Sequence, residues 1–472
     1  MKGIYLFVPQ KDKCQEKVWK KGIGFGEGKK NLSSKGFFSF PKSPSSPEAV
    51  SMKNILMIGG GVSGQAVSEL AAALKIPCRV VSDKDAAEGD YPQLFENVDS
   101  VIVSPGVLPT SGLYGEAVKR NLPVISELEF GVRHFPGRMV AVTGTNGKTT
   151  TVELTTFLLE KLGAVVSSAG NIGLPLSAVS AQIVRGEIAD AGKMIAVLEV
   201  SSFQLEHTHK LPAEAAVLLN VESDHINRYP GGMDEYRQVK ERIFNQVPAD
   251  KRFYGISMTG RAECAGFVIK NDELYFHDKK LLNLAETALS APHNRENLLA
   301  ALALTGSLID LNGRENELAN AVKAFKTGDH RIALVGEFNG VKYIDDSKAT
   351  NPAAVIAAVK SLAAEPARNI ILIAGGLDKA MDFAPLGTLA PYLRKVIVYG
   401  QCGQAVAAAF AGCNVEIFDA QTNFALAVEH ARNAALQGDT VLLSPAAASM
   451  DMFKDYKERG NVFAETVRNL HK

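Results

Sequence analysis

Thr143-Gly-Thr-Asn-Gly-Lys-Thr-Thr150 follows the apolar, half β-branched run Met139-Val-Ala-Val142 and opens the amphipathic segment Thr151-Val-Glu-Leu-Thr-Thr-Phe-Leu-Leu-Glu160. That order reads as strand, glycine-rich loop and helix. Backbone N–H groups of such a loop, at a helix N-terminus, cradle phosphates; Lys148 adds a point charge and the Thr149 hydroxyl suits Mg²⁺. The chain is therefore expected to handle a nucleoside triphosphate. The spacing is unusual, because Val142 stands where a first glycine would fall and only Thr145 and Asn146 separate Gly144 from Gly147. A plain turn also favours Gly-Thr-Asn-Gly, but it leaves the preceding strand and the following Lys-Thr-Thr unexplained.

At 472 residues the chain exceeds one ordinary core, and three domains are expected. Lys and Arg number 51, as do Asp and Glu, so charge gives no argument for a nucleic-acid or membrane partner. The five cysteines, Cys14, Cys78, Cys264, Cys402 and Cys413, are odd in number and lack a C-x-x-C pair. That pattern argues against a disulfide framework or a zinc site and points to a reducing cytoplasm. No apolar run reaches the roughly 18–20 residues that span a bilayer. Residues 1–51 are rich in Lys, Gly, Ser and Pro, and are expected to carry little fixed structure or to precede the true start at Met52.

From Met52 the strand Asn54-Ile-Leu-Met-Ile58 runs into Gly59-Gly-Gly61-Val-Ser-Gly64, and Cys78-Arg-Val-Val-Ser82 ends at Asp83. This is a dinucleotide-type G-x-G-x-x-G with an acid about 20 residues on, a pattern that tight strand-to-helix packing alone would also produce. Near-continuous apolar runs at Met194–Leu198, Ala215–Leu219, Val341–Ile344, Asn369–Ile373, Lys395–Tyr399 and Thr440–Leu443 suit buried parallel strands. The fold class is α/β with three domains. Residues 52–127 form a Rossmann-like N-terminal domain, 128–328 a central P-loop ATPase-type parallel sheet, and 329–472 a Rossmann-like C-terminal domain. Glu199, Asp224-His225, Asp345–Asn351, Gly375–Lys379 and Ser444-Pro445 all follow strands, which places an active site between the second and third domains.

Taken with Gly170-Asn-Ile-Gly173, Glu199-Val-Ser-Ser-Phe-Gln-Leu-Glu206, Asn220–Tyr229, Asp346-Ser-Lys-Ala-Thr-Asn351 and Ser444–Phe453, the chain from Met52 to Lys472 resembles the Mur ligases of peptidoglycan synthesis. Within that family it is most similar to the D-glutamate-adding branch. The resemblance implies phosphorylation of the UDP-MurNAc-L-Ala carboxylate by ATP, then attack of the D-glutamate amine on the acyl phosphate. Its implied catalytic residues are Lys148, Glu199, His225, Lys240 and Arg331. ATP falls to Gly144, Thr145, Asn146, Gly147, Lys148, Thr149, Thr150, Asn294, Asn297, Arg331 and Asp346. UDP-MurNAc-L-Ala falls to Ser63, Asp83, Ser104, Asn171 and Ser201, and D-glutamate to Thr350, Lys379, Ser449 and Tyr456. Two Mg²⁺ sites are implied, at Thr149 and Glu199 and at His225 with Lys240 as its carbamate. Without the resemblance, a lysine on a charged helix is a solvated surface residue. His207 and His209 have no motif role.

The family pattern is broken at Ala291-Pro-His-Asn294, which has Ala-Pro in place of Gly, and at Gly328-Asp-His-Arg331, which has Asp in place of Pro. A sibling ligase or a folylpolyglutamate-type synthetase would share the phosphate loop. The Gly59–Gly64 and Ser104-Pro-Gly106 pair and the Ser444-Pro-Ala-Ala-Ala-Ser449 ending favour the D-glutamate branch. A nicotinamide-dependent oxidoreductase would use Gly59–Gly64 with Asp83 but leaves Lys148, Glu199 and His225 idle. Oligomeric state has no signature in the sequence, and a monomer satisfies everything read from it.

Overall fold

In a computed structural model, residues 52–472 are described, apart from Ala364, Ala380 and the side chains of Asn227 and His293; the expectations for residues 1–51 lie outside that range. Among the described residues, four sheets follow one another along the chain. The first holds β1 (Ile55–Ile58), β2 (Cys78–Val81), β3 (Ser100–Val103) and β4 (Val124–Ser126) in the order β2-β1-β3-β4, all parallel. Its Gly59 to Gly64 turn is tight: a Cβ on Gly64 would sit 2.1 Å from the Gly59 carbonyl oxygen, so the helix Val62–Ala73 can lie on the strand end only with glycine there.

The second sheet holds β5 (Arg138–Thr143), β6 (Val166–Gly170), β7 (Ile195–Glu199), β8 (Ala215–Leu218) and β9 (Arg252–Tyr254) in the order β6-β7-β5-β8-β9, again all parallel. Val140, Val142, Val197 and Val217 are fully buried and pack with Val152 and Leu304 from helices on one face. Burial of each such side chain stabilises by about 1.5–3 kcal/mol, which is why both faces read as continuous apolar runs. A small antiparallel meander, β10 (Glu263–Cys264), β11 (Phe267–Lys270), β12 (Glu273–Phe276) and β13 (Lys279–Asn283), follows. No continuous apolar run marks it in the sequence, and its short alternating strands cover one end of the central helices through Phe267, Leu274 and Leu282.

The last sheet runs β14-β15-β19-β16-β17-β18, from β14 (Ala333–Phe338), β15 (Val341–Asp345), β16 (Ile370–Gly375), β17 (Leu393–Tyr399), β18 (Glu416–Asp419) and β19 (Thr440–Leu443). It is parallel except at the β14 edge. Ahead of this sheet in the chain, a long helix spans Pro292–Leu308. Proline begins it, since a first-turn N–H has no intrahelical partner, and extended backbone at Ile309 ends it. Cys78, Cys264, Cys402 and Cys413 are free thiols. Among the described residues no helix is long and apolar enough to cross a membrane.

Candidate active site

Sheet order decides which loops meet. Because β5 lies between β7 and β8, the phosphate loop Gly144–Gly147, the Glu199–Ser201 turn and the Asn220–His225 segment leave the sheet side by side. Likewise β19 lies between β15 and β16, so the loops carrying Asp346 to Asn351, Ser444 to Ser449 and Gly375 to Lys379 are neighbours. Of these loops, the phosphate loop with Asn220 and Glu222 and the segment Asp346–Ala349 line a cleft of about 590 Å³, together with Thr150, Asn294, Asn297 and Arg331.

The phosphate loop is held by its surroundings. Gly147 has φ +83°, and a Cβ there would meet Asn297 Oδ1 at 2.2 Å, so only glycine permits the turn into the helix Lys148–Lys161. The Asn220 side chain clamps the Asn146 backbone, accepting from its N–H at 2.7 Å and donating to its carbonyl at 3.2 Å. Lys148 Nζ donates to the carbonyls of Gly144 and Thr145 at 2.8 and 2.9 Å. Lys240 Nζ donates to the same Gly144 oxygen at 2.8 Å.

Lys240 is 1% exposed, not the solvated lysine that its charged helix alone would give. Burial, followed by repulsion from Lys148, pushes its ammonium well below the usual lysine range, against the opposing pull of Asp224 and Glu199. Burial also lowers Lys148, with Glu199 and Asp224 opposing and Arg331 adding to the drop. His225, in the left-handed region at φ 55°, is pushed down to about 4, chiefly by burial. Glu199 Oε1 accepts from Asn171 Nδ2 at 2.8 Å, whereas buried Glu199 Oε2 and Asp224 Oδ1 have no hydrogen-bond partner among the described residues, the latter lying 3.6 Å from His225 Nε2. Leaving a buried acceptor unmet costs roughly 1–3 kcal/mol, more for a charge, and a hard cation is the natural complement. Thr149 is buried at the head of the helix Lys148–Lys161, and hard oxygen donors of this kind suit Mg²⁺.

From the C-terminal sheet, Asp346 accepts from Ser444 Oγ at 2.7 Å and from Ile332 N–H at 3.3 Å. Its pKa is raised to about 7 by burial, against those bonds and Arg331. His330 and Asp345 pair at 2.6 Å. At the broken pattern Gly328–Arg331, His330 makes this contact and Arg331 lines the cleft. Thr350 and Lys379 are half-buried and Ser449 is buried, while a backbone bond from Leu377 to Ala448, 2.8 Å, ties the Lys379 and Ser449 loops together. The Lys379 charge is felt at His225 across the cleft. Tyr456 accepts from Lys348 Nζ at 3.3 Å.

The N-terminal set lies apart, at the end of the first sheet. Ser104 Oγ donates to Gly59 O at 3.3 Å, Ser63 is half-buried, and exposed Asp83 accepts from Ser111 Oγ at 2.8 Å and Leu113 N–H at 3.3 Å. Ser201 caps the turn Ser202–Leu205 and sits with Asn171 beside Glu199. His207 is pushed down to about 3 by burial, and His209 Nε2 lies 3.3 Å from Val124 O; both belong to the seam between the first two sheets.

Two residues with no role assigned from sequence stand out. Lys348 is lowered to about 8, mainly by burial and Arg331, and faces the cleft. Arg228 binds Glu206 through Nε and Nη2, both at 2.7 Å, and donates to Val107 O at 2.8 Å, tying the His225 segment to the loop after Ser104. Both lie inside quoted motifs, so their positions were visible and their partners were not.

Desolvated lysines on a phosphate loop, unmet carboxylate oxygens and a facing cationic sheet end define an enzyme that handles a nucleoside triphosphate. Residues 142–268 match the Mur ligase middle domain and 330–447 the Mur ligase glutamate ligase domain. UDP-N-acetylmuramoylalanine–D-glutamate ligases from Thermoanaerobacter pseudethanolicus and Pelotomaculum thermopropionicum are 32% and 37% identical to it. The alignments cover 89% of this chain in both cases, and 99% and 98% of theirs. The chain belongs to the Mur ligase family. Its fold is similar to a pseudomurein peptide ligase type C from Methanothermus fervidus, TM-score 0.57, 15% identity, covering 89% of this chain and 100% of that one. It is also similar to a UDP-N-acetylmuramate–alanine ligase from Thermotoga maritima, TM-score 0.54, 17% identity, covering 88% and 99%.

Proposed function

We infer that this chain joins D-glutamate to UDP-N-acetylmuramoyl-L-alanine at the expense of ATP, in cytoplasmic peptidoglycan precursor synthesis. The observation that carries the ligase chemistry is that Arg331 and Lys348 line one cleft with the phosphate loop and lie near enough to Lys148 and Glu199 for their charges to act on one another, beside carboxylate oxygens of Glu199 and Asp224 that lack a hydrogen-bond partner. The choice of D-glutamate rests on the names of relatives aligned along most of the chain.

The physical difficulty is to bring a carboxylate against a triphosphate. Two unit charges 4 Å apart repel by about 4 kcal/mol at an effective dielectric of 20, and only interposed cations remove that. Lys148 and the loop N–H groups hold the phosphates, while Arg331 and Lys348 approach from the facing sheet. One Mg²⁺ held by Thr149 and Glu199 supplies further neutralisation, and a second suits His225 with Lys240 as its carbamate. Carbamylation requires a neutral amine, which the lowered Lys240 provides, and it relieves the repulsion between two ammonium groups sharing one carbonyl.

A substrate carboxylate oxygen attacks the γ-phosphorus and ADP leaves. The D-glutamate amine then attacks the acyl carbon, and phosphate leaves with the electron pair of the broken C–O bond. Lys379 pairs with the side-chain carboxylate of the amino acid, flanked by Thr350, Ser449 and Tyr456. Asn294 and Asn297 stand at the adenine side, and Ser63, Asp83 and Ser104 take the uridine nucleotide, with Asn171 and Ser201 at the MurNAc-alanine end.

The test is phosphate release from ATP and Mg²⁺ with UDP-MurNAc-L-Ala, comparing D-glutamate with L-glutamate, L-alanine and a diamino acid, with products identified by mass. Ligation only with D-glutamate supports the reading; ligation of another pair moves the chain to a sibling step.

A further inference from the structure

Asn351 stands where the C-terminal sheet touches the phosphate loop. Its Oδ1 accepts from Ala354 N–H at 2.9 Å and caps the helix Pro352–Leu362. A backbone N–H can only donate, so the cap fixes which end of the amide is oxygen and leaves Nδ2 to point away from the helix. That Nδ2 donates to Asn146 Oδ1 at 2.9 Å. With its oxygen engaged, Asn146 turns Nδ2 toward Glu222 Oε2, 2.7 Å away; Asn351 Oδ1 is a longer second neighbour at 3.5 Å. Thr145 Oγ1 accepts from Glu222 N–H at 2.9 Å, which seats the carboxylate against the same loop.

We propose that Asn351 is a positioning residue that docks the Asp346–Asn351 segment on the phosphate loop through a relay of fixed polarity, Asn351 to Asn146 to Glu222. The proposal rests on the ligase reading above. Asp346, Lys348 and Thr350 all lie within five residues of Asn351 along the chain. The relay therefore sets where one half of the cleft stands relative to Lys148, and a displacement of about 1 Å there can cost ~10²-fold in rate. The acceptor at one end is a carboxylate and the donor at the other is a helix cap, so the chain cannot reverse by amide flips alone.

That polarity makes the relay separable from the cap. Asp is as good an N-cap as Asn, so Asn351→Asp keeps the helix, but it presents an acceptor to Asn146. Asn146 then donates to residue 351 and turns its own oxygen on Glu222, acceptor against acceptor. Adding Glu222→Gln supplies a donor and lets the whole relay run backwards.

The experiment compares wild type, N351D, E222Q and N351D/E222Q. Expected are a kcat at least about tenfold lower for N351D, with KM for UDP-MurNAc-L-Ala unchanged, and recovery of most of that loss in the double variant. Wild-type kcat in N351D, or a double variant no better than N351D, overturns the relay. Asn351→Ser, which also caps but cannot reach Asn146, serves if N351D fails to fold; its kcat is expected to fall similarly, and an undiminished kcat overturns the relay. Hydrogen exchange of residues 346–356 reads the same contact without turnover: faster in N351D, restored in the double variant, with unchanged exchange overturning the relay. Absence of D-glutamate-dependent phosphate release from wild type overturns the ligase reading alone.

Discussion

The end of the first sheet and the cleft between the second and fourth sheets are both strand-end sites, yet they are built oppositely. At the first, Ser104 and Asp83 have protein partners, and Asp83 is exposed. At the second, Glu199 Oε2 and Asp224 Oδ1 are buried and unmet, and Lys148 and Lys240 share one carbonyl oxygen under desolvation. On the ligase reading proposed above, the first set only recognises a ligand and can be satisfied in advance, whereas the second stabilises charge in transfer and is held in a costly state that the reacting species would relieve.

The contrast is broken most severely at Lys148. Lys148→Met is expected to lower kcat about 10³-fold with the chain still folded, measured as phosphate release alongside circular dichroism. Next is Lys240→Arg, expected to lose ~10²-fold, because arginine stays charged and cannot carry a carbamate. Its lowered pKa gives the sign of the pH effect. The amine is neutral to a lower pH than an ordinary lysine, so a carbamate formed there would survive near neutrality, and activity is expected to fall as acidification protonates the amine. A ¹³C signal from labelled bicarbonate, present in wild type and absent in Lys240→Arg, checks the chemistry; its absence in wild type removes the carbamate.

How much of this was legible depends on what each feature needs. Strands such as Ile55–Ile58 and Ile195–Glu199 fall where continuous apolar runs placed them, because a parallel strand covered on both faces leaves a local signature. The phosphate loop was legible for the same reason, its glycines and Lys148 being contiguous. The β10–β13 meander was not, since strands of two to five residues with alternating polarity resemble loop sequence. Burial of Lys240 and the unmet oxygen of Glu199 are properties of strand order, which the sequence does not display. The Asn351 to Asn146 contact spans 205 residues and has no local pattern at all.

Smaller effects sharpen the comparison. Lys379→Met is expected to raise KM for D-glutamate roughly ten- to a hundredfold with little change for ATP, from loss of one charge-assisted pair. An equal rise for all three substrates would place Lys379 elsewhere. Asp83→Ala removes exposed, satisfied bonds at the first sheet and is expected to raise KM for UDP-MurNAc-L-Ala only several-fold while kcat holds. A collapse of kcat instead would show that the first site is as strained as the second.

The smallest effect lies at the seam between the two regions. Glu127 follows β4, and its Oε1 accepts from Ser177 N–H at 2.9 Å while buried Oε2 has no partner. Ser177 Oγ donates to Glu127 O, and Ser180 Oγ to Gly131 O, both at 2.9 Å, so this carboxyl sits inside the joint. Burial raises its pKa from 4.5 to about 7, against the two Ser177 contributions. Between those values the folded chain holds a proton that the unfolded chain has released. Stability from this group is therefore complete below about 4.5 and is lost as pH rises through about 7. Glu127→Gln keeps the acceptor for Ser177 and cannot ionise, so it is expected to gain on wild type by roughly 1–3 kcal/mol between pH 5 and pH 8 in urea unfolding. Parallel stability profiles would mean that the carboxyl is ionised in the joint throughout, and that burial at this seam is relieved by solvent in a way that burial at Lys240 is not.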